Sequence, residues 1–432
     1  MADDVYSIDF KPSERQREFL ASRAKYIAYG GARGGGKSYA LRYKLVFMCL
    51  KYPGIRTLLI RRSYPELREN HIRPLTALLC AKDRPFAKYC ERDKCFEFLN
   101  GSRLKLGYLA DDGDLLQYQG QEFDVIAVDE ATQIDENAFA VLTASLRGAN
   151  AFPKRMYLTC NPGGVGHGWV KRLFIDRDYA PTEDPDEYVF IRAGVYDNTA
   201  LLENDPEYVK QLENLPGDLK QAWLYGSWDI FSGQFFPEFR ASVHTAAPTP
   251  LPDGCAYYCA VDYGLDMLAA IFVAVDDSGK AYVYDEVYES GLIVSEAAAR
   301  ILPKLRPDAL CIAPADLWSR QKDSGLSIAE LFAQHGVYFT KLVPSRIGGW
   351  AALKEWLKTD ENGESRMVIF NCCKNLIRTL PLLLCDPKNP GDASTEPHEV
   401  THAPDALRYF CSARPAAPGA AERKRFLTRK RL

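Results

Sequence analysis

The sequence predicts two α/β units in series, the first built on a parallel-rich sheet and the second on a mixed one. Three observations predict this. Up to about Asp229, short apolar runs alternate with helical stretches. A turn-rich segment with four prolines and two glycines, SGQFFPEFRASVHTAAPTPLPDG, then fills positions 232–254. Beyond it, strand-like runs follow one another closely, joined by short turns. The first rhythm is that of strands with crossover helices. The proline-rich segment suits a linker. Short turns permit antiparallel pairing, whereas parallel strands need long crossovers. The expected division is a first unit over 1–231, a linker over 232–254, a second unit over 255–414 and a basic tail over 415–432.

In the first unit the expected strands are Tyr26–Tyr29, Thr57–Ile60, Val125–Val128 and Met156–Thr159. The first runs into Gly31-Ala32-Arg33-Gly34-Gly35-Gly36-Lys37-Ser38, a complete G-x-x-x-x-G-K-[ST] pattern followed by a helix-like run. That strand–loop–helix context is the one in which the pattern binds nucleotide phosphates. Gly31, Gly34 and Gly36 let backbone N–H groups turn toward phosphate oxygens. Lys37 is expected to reach the β and γ phosphates of ATP, and Ser38 to hold Mg²⁺. The third apolar run stops at Asp129-Glu130, which suits a metal-holding aspartate and a glutamate that polarises the attacking water. The fourth ends in Thr159-Cys160-Asn161-Pro162-Gly163, where Asn161 could sense the γ-phosphate. Arg33 is a candidate arginine finger, with Arg61 and Arg62 as rivals for that role or as contacts to DNA phosphates. Gln16, ahead of the first strand, offers an amide that could read adenine.

In the second unit the expected strands are Tyr257–Val261, Ala269–Val275 and Ala281–Val287. A helix (Val294–Leu305), a strand (Ala309–Ala313), a helix (Ser327–His335) and a strand (Val337–Leu342) follow, with helices near Lys374–Leu384 and Pro404–Cys411. Asp262 and Asp316 come at or just after strand ends, and Asp405 sits one helical turn after His402. Carboxylates converging at one rim repel each other unless a cation joins them. An all-oxygen set suits Mg²⁺ or Mn²⁺, and two such ions ~4 Å apart can drive phosphodiester hydrolysis.

Composition narrows the classes. The chain has 432 residues, 47% hydrophobic and 26% charged, with a net charge of −3. That is the balance of a globular protein longer than one ordinary core. No run of ~18 uncharged apolar residues suggests a membrane span, and the acidic start MADDVYSIDF has no apolar signal core. A cytosolic protein with no membrane partner is therefore expected. Its 12 cysteines read as reduced thiols. Cys90/Cys95 and Cys255/Cys259 lack the second pair that a structural zinc site needs. An overall acidic chain excludes a DNA-coating protein and makes any DNA contact local. Arg423-Lys424-Arg425 and Arg429-Lys430-Arg431 in the tail are one such candidate, or simply a solvated end.

The motifs GGARGGGKS, VIAVDEATQ, LTCNPGG, AVDYG, APADLW and HAPDALRY, in this order over about 10–412, resemble the phage terminase large subunit. The resemblance implies a RecA-like ATPase of the additional-strand (ASCE) type joined to a nuclease with the RNase H-like fold. It implies an ATP-driven motor that moves double-stranded DNA into a procapsid and cuts concatemers with a metal-dependent endonuclease. The implied partners are the portal protein, a small terminase subunit and further copies of the chain, as a pentamer, in the host cytoplasm. By that likeness Lys37 and Ser38 take the Walker A roles, and Asp129 and Glu130 the Walker B roles. Thr159 to Asn161 resemble the motif coupling hydrolysis to movement. Asp262, Asp316 and Asp405 match the nuclease acids, and His402 a histidine seen near the third. Asp323 rivals Asp316, and Asp285-Glu286 is a further possible ligand pair. Two other classes compete: a DNA translocase or helicase whose second unit is a non-catalytic DNA-binding module, and a small-molecule kinase. The kinase leaves the late acids unexplained.

Overall fold

The computed structural model describes residues 8, 10–81, 85–110, 112–229, 233–264, 266–320, 325–343 and 345–414. Asp323 and the basic tail lie outside the described residues. The chain divides into two compact units, 1–233 and 234–432.

The first unit holds eight strands: β1 (Tyr26–Gly31), β2 (Arg56–Arg61), β3 (Ala87–Cys90), β4 (Cys95–Phe98), β5 (Arg103–Tyr108), β6 (Val125–Val128), β7 (Arg155–Cys160) and β8 (Tyr188–Ala193). They form one sheet in the order β3-β4-β5-β2-β6-β7-β1-β8. From β5 to β8 every pairing is parallel, and only the β3-β4-β5 edge is antiparallel. The inner strands are apolar throughout because helices cover both faces of a parallel sheet. All of β1 and β6 is buried. One face packs on Leu41, Leu45 and Leu75, the other on Phe139, Leu142 and Trp169. Helix α1 (Glu14–Ala21) precedes β1, and α2 (Lys37–Lys51) follows it. Strands β3, β4, β5 and β8 were not anticipated. The hairpin strands are short, with one charged residue each, Lys88 opposite Glu97, and β8 mixes Phe190 with Arg192.

The second unit holds β9 (Thr245–Ala246), β10 (Ala256–Tyr263), β11 (Leu268–Val275), β12 (Ala281–Glu289), β13 (Leu310–Pro314), β14 (Thr340–Leu342) and β15 (Met367–Phe370). The order is β14-β13-β10-β11-β12-β15-β9. β11 runs antiparallel to both neighbours, while β10, β13 and β14 are mutually parallel. The β10-β11-β12 meander is extended by parallel strands on both sides, β13 and β14 beyond β10 and β15 and β9 beyond β12, in keeping with the RNase H-like fold that the resemblance implies. Side chains alternate along the central strands. Ala269, Ile271 and Val273 of β11 join a core with Trp350, Trp356 and Phe410, while Leu268, Ala270 and Phe272 join one with Ile301 and Phe332. The tryptophans come from α3 (Arg346–Leu357) and Phe410 from α4 (His402–Ala413). The two helices approach closely at Gly349, where a Cβ would stand 2.6 Å from Ser412 Oγ.

The segment 232–254, read from its prolines and glycines as a linker, packs into the second unit over its described residues. Phe235, Phe236 and Phe239 are buried with Trp350 in that core. Thr245 and Ala246 pair with β15, and His244 bonds to Leu357 O at 2.8 Å. Apolar aromatics spaced between turn residues explain this: they bury area that a free spacer would leave in water. All twelve cysteines are free thiols. Among the described residues no helix is long and apolar enough to cross a membrane.

Candidate functional site

The first unit gathers its functional side chains at the carboxyl ends of β1, β6 and β7, where ligands bind in open α/β sheets. The loop after β1 is shaped by glycines. Gly34 and Gly36 have φ of +78° and +69°. At Gly36 a Cβ would stand 2.5 Å from Gln16 Nε2, so a side chain there is strained and obstructed. Gly31 lies so close to β8 that a Cβ would meet Ala193 O at 2.6 Å. Asn198 Nδ2 donates to Gly34 O at 2.7 Å and fixes the loop from its far side. Among the described residues, the N–H groups of Gly34 to Ser38 donate to no backbone acceptor. They stand at the start of α2, where the helix dipole favours an anion. The loop borders a cavity of about 680 Å³, lined also by Glu130, Asn161, Arg42 and Tyr208.

One hydrogen-bonded network ties the three strand ends together. Lys37 is buried and donates to Ala32 O and to Asn161 Oδ1, the latter at 2.8 Å. Asn161 Nδ2 donates to both carboxylate oxygens of Glu130, at 2.9 and 2.7 Å. Ser38 Oγ donates to Asp129 Oδ1 at 2.8 Å, and Thr159 Oγ1 donates to the same oxygen at 2.5 Å. Arg61 and His71 meet the other oxygen of Asp129, His71 at 2.9 Å. Burial opposes the ionised Asp129, but His71, Arg61 and the Thr159 hydroxyl hold its carboxyl far below the usual range. Its neighbour behaves oppositely. Burial and the adjacent Asp129 raise the pKa of Glu130, against the pull of Lys37 and Asn161. Two neighbouring carboxyls driven apart in this way are a recurring sign of divided acid–base roles. Glu130 also has a left-handed backbone, φ +60°, a strained conformation for a non-glycine residue. Burial lowers the pKa of Lys37, with Glu130 opposing.

These donors fit Mg²⁺-ATP. Free amides and a buried ammonium suit phosphates, while a serine hydroxyl beside an ionised aspartate suits a hard cation. Arg33, exposed at the cavity, lays its guanidinium over Trp223 at 3.4 Å from the ring centroid. Arg61 is committed to Asp129 and Glu66. Arg62 is exposed. Gln16 is buried against the loop: its Oε1 accepts from Ser13 N at 3.0 Å and its Nε2 donates to Gly36 O at 3.2 Å. Its amide thus joins α1 to the phosphate loop, because the capping box that starts α1 recruits the side chain inward.

In the second unit, Asp262 lies within β10, Asp316 in the turn Ala315–Trp318 after β13, and Asp405 and His402 in the first turn of α4. β10 and β13 are adjacent and parallel, and α4 packs against both. His402 Nδ1 bonds to Asp262 Oδ2 at 2.9 Å, and Tyr409 OH donates to Asp262 Oδ1 at 3.3 Å. Burial and the charges of Asp262, Asp405 and Asp316 push the Tyr409 phenol far up, which reflects the shared neighbourhood of the acids.

Their carboxylates do not converge as tightly as the sequence suggests. Among the described residues, the one set of three His, Cys, Asp or Glu side chains whose ligand atoms lie within 4.8 Å of one another is Asp266, His398 and His402. Asp405 is neutralised inside the chain instead: Arg408 Nη2 stands 2.6 Å from its Oδ1. The expectation that only a metal makes this acid tolerable is therefore corrected, since an arginine one turn along α4 supplies the charge. Even so, burial leaves the Asp405 carboxyl raised. Asp285 and Glu286 serve elsewhere. Asp285 pairs with Lys304 at 2.6 Å, and Glu286 accepts from the N–H groups of Asn375 and Leu376 at a helix start. Asp262 and Asp316 retain free carboxylate capacity, which suits a hard divalent cation. His71, Trp223, Arg408 and Tyr409 were missed in the sequence. Only Arg408 carried a signal, its i,i+3 spacing from Asp405.

A family model described as phage terminase large subunit matches residues 23–223. No curated protein matches the sequence. Solved structures similar to the chain include the large terminase of bacteriophage HK97, at 12% identity and a TM-score of 0.49, covering 94% of this chain and 95% of that one. A large terminase from a thermophilic bacteriophage aligns at 18% identity and a TM-score of 0.44, over 94% and 99%. The nuclease domain of the P22 large terminase aligns at 20% identity and a TM-score of 0.35, over 42% and 93%. The stretch that carries both halves of the phosphate site, residues 23–223, belongs to the phage terminase large subunit family.

Proposed function

We propose that the protein is the ATP-driven motor and metal-dependent endonuclease of a phage DNA-packaging machine. One observation supports this above all: a continuous network from Lys37 through Asn161 to Glu130 lines a cavity of about 680 Å³, in a chain whose second unit has Asp262, Asp316 and Asp405 all near enough to Tyr409 to raise its pKa. Lys37 and the amides of 34–38 would hold the phosphates of ATP, while Ser38 and Asp129 would hold Mg²⁺, which neutralises developing phosphate charge. Glu130, once ionised, would orient and deprotonate water. Asn161, bonded to both Lys37 and Glu130, is placed to pass the phosphate's state to the strand end. Arg33 would serve as the arginine finger. In the second unit Asp262, Asp316 and Asp405 would hold Mg²⁺ or Mn²⁺, with His402 positioning Asp262. The substrate is concatemeric double-stranded DNA. The partners are the portal protein, a small terminase subunit and further copies of the chain, as a pentamer, in the host cytoplasm.

The test separates the two activities. Wild type should hydrolyse ATP and cut plasmid in Mn²⁺. Lys37→Ala should lose ATP turnover and keep cutting, and Asp262→Ala should do the reverse. Plasmid left intact by wild type across a Mn²⁺ series would favour a translocase with a non-catalytic second unit.

A further inference from the structure

At the end of the β10–β11 hairpin Asp266 meets two histidines. His398 Nε2 lies 3.0 Å from Asp266 Oδ2, and His402 Nε2 lies 3.3 Å from the same oxygen. The two imidazoles pack edge to face with centroids 4.5 Å apart. Each residue is held by a different part of the fold. Gly264 N bonds to Met267 O at 2.9 Å and closes the hairpin carrying Asp266. Tyr288 of β12 donates to Glu399 O at 2.7 Å and anchors the turn carrying His398. His402 begins α4 and is nearly buried.

Separations of 3.0 and 3.3 Å are those of ligand atoms around one ion. Atoms sharing a cation at about 2.1 Å stand ~3.0 Å apart in an octahedral shell and ~3.4 Å apart in a tetrahedral one. A second observation concerns the far side of His402. Its Nδ1 bonds to Asp262 Oδ2 at 2.9 Å, the carboxylate–histidine support that fixes a ligating imidazole. Its other ring nitrogen, Nε2, faces the Asp266 carboxylate.

We propose that Asp266, His398 and His402 form a divalent transition-metal site, distinct from the Asp262, Asp316 and Asp405 set. Two imidazoles and one carboxylate favour borderline first-row ions over Mg²⁺, which prefers oxygen. His398 and Asp266 are largely exposed, so the open coordination positions face solvent. Through His402 the bound ion lies one imidazole away from Asp262. Its use in DNA cutting rests on the nuclease reading above, whereas its binding does not.

The experiment uses the full chain without nucleotide, with Mn²⁺ as the probe because thiolates hold it poorly. Bound Mn²⁺ is counted by electron paramagnetic resonance, and imidazole ligation is read from ¹⁴N coupling. Wild type should show ¹⁴N-coupled Mn²⁺ that Zn²⁺ displaces at lower concentration than Mg²⁺ does. His398→Ala and Asp266→Asn should each weaken that ion at least tenfold, with unchanged melting temperature, since both side chains are exposed. Absence of ¹⁴N-coupled Mn²⁺ in wild type, or wild-type binding by both variants, would overturn the site and leave only a protonated histidine beside a carboxylate. Plasmid is incubated with the same preparations. Metal bound but plasmid uncut would sink the nuclease reading and leave this site standing.

Discussion

Asn161→Ala tests whether the network around Lys37 and Glu130 is catalytic. Asn161 accepts from Lys37 at 2.8 Å and donates to the two Glu130 oxygens at 2.9 and 2.7 Å. Hydrogen bonds to charged groups contribute ~1.5–3 kcal/mol. At 1.36 kcal/mol per factor of ten, losing the bond to Glu130 should slow hydrolysis about 10–100-fold. The sign of the pH effect follows from the same contact. Glu130 must be ionised to act on water, burial already raises its pKa, and Asn161 is one of the groups pulling it back down. Removing Asn161 raises it further, so the acid limb of kcat should move to higher pH and part of the loss should be recovered in alkaline buffer. The assay is phosphate release across pH, with nucleotide affinity measured by fluorescence. Affinity should change little, because the phosphate loop keeps its amides and Lys37. An unshifted acid limb with kcat within twofold of wild type would refute the argument. An affinity loss as large as the kcat loss would mean that Asn161 only shapes the loop.

Three further perturbations probe separate features. His167 is buried, accepts from Gly163 N at 2.9 Å and bonds to Trp228 O at 3.0 Å; burial lowers its pKa to about 3. It folds neutral and must take a proton on unfolding below its ordinary pKa, so its stabilisation is present above pH ~6.5 and lost as pH falls toward 3, by up to ~5 kcal/mol; denaturant melts of wild type and His167→Gln should show a shallower acid slope in the variant. Arg408→Met leaves the nearly buried Asp405 unpaired and should destabilise the second unit by ~3–5 kcal/mol, whereas adding Asp405→Asn should recover much of that; equal melts for the single and double variants would remove the pair's significance. Arg33→Ala removes the stack on Trp223 and should lower ATP turnover in the assembled motor, while a normal rate there rules Arg33 out as the finger.

Legibility tracked how local each determinant is. The phosphate loop, the apolar strands β1, β2, β6 and β7, and the β10–β12 meander were readable because runs, glycines and turns are contiguous signals. Strand ends moved by a residue or two, and the strand expected over Val337–Leu342 is confined to Thr340–Leu342. The hairpin β3–β4, strands β5 and β8, the short β9, strand β15 and helix α3 were not read. Edge strands lack strong alternation, and the Gly348-Gly349 pair in α3 argues against a helix until Trp350 and Trp356 find their core. In the site, Lys37, Ser38, Asp129 and Glu130 followed from sequence order. His71 did not, because it lies in a π-helical turn, Arg68–Ile72, 58 residues before Asp129, and only the fold brings the two side chains together. Gln16 was read for its chemistry toward a base, but its own capping box decides where the amide goes. The 232–254 segment was misjudged by weighting prolines over phenylalanines.

Each unit holds acids that need compensation, Asp129 and Glu130 in the first and the nearly buried Asp405 in the second, and the two solutions differ. At the phosphate site Arg61 and His71 converge on Asp129 and keep it ionised, while Glu130 is shared between a lysine and an asparagine and left with a raised pKa. A cation arriving with ATP then meets one carboxylate already charged and one whose protonation responds to Lys37. If Lys37 turned to a phosphate, its hold on Asn161, which links the lysine to Glu130, would loosen. That geometry makes the base sensitive to what occupies the loop. At the second rim the compensation is asymmetric in space. Arg408 neutralises Asp405 from within α4, and His402 meets Asp262 from the same helix one turn earlier. Asp316, on the turn after β13, has no such partner among the described side chains. Asp316 is exposed, so water already solvates its charge, and Asp316→Asn should weaken Mn²⁺ binding without the loss of stability expected for Arg408→Met. If Asp316→Asn bound Mn²⁺ as wild type does, the acid set would have to be redrawn around Asp262 and Asp266.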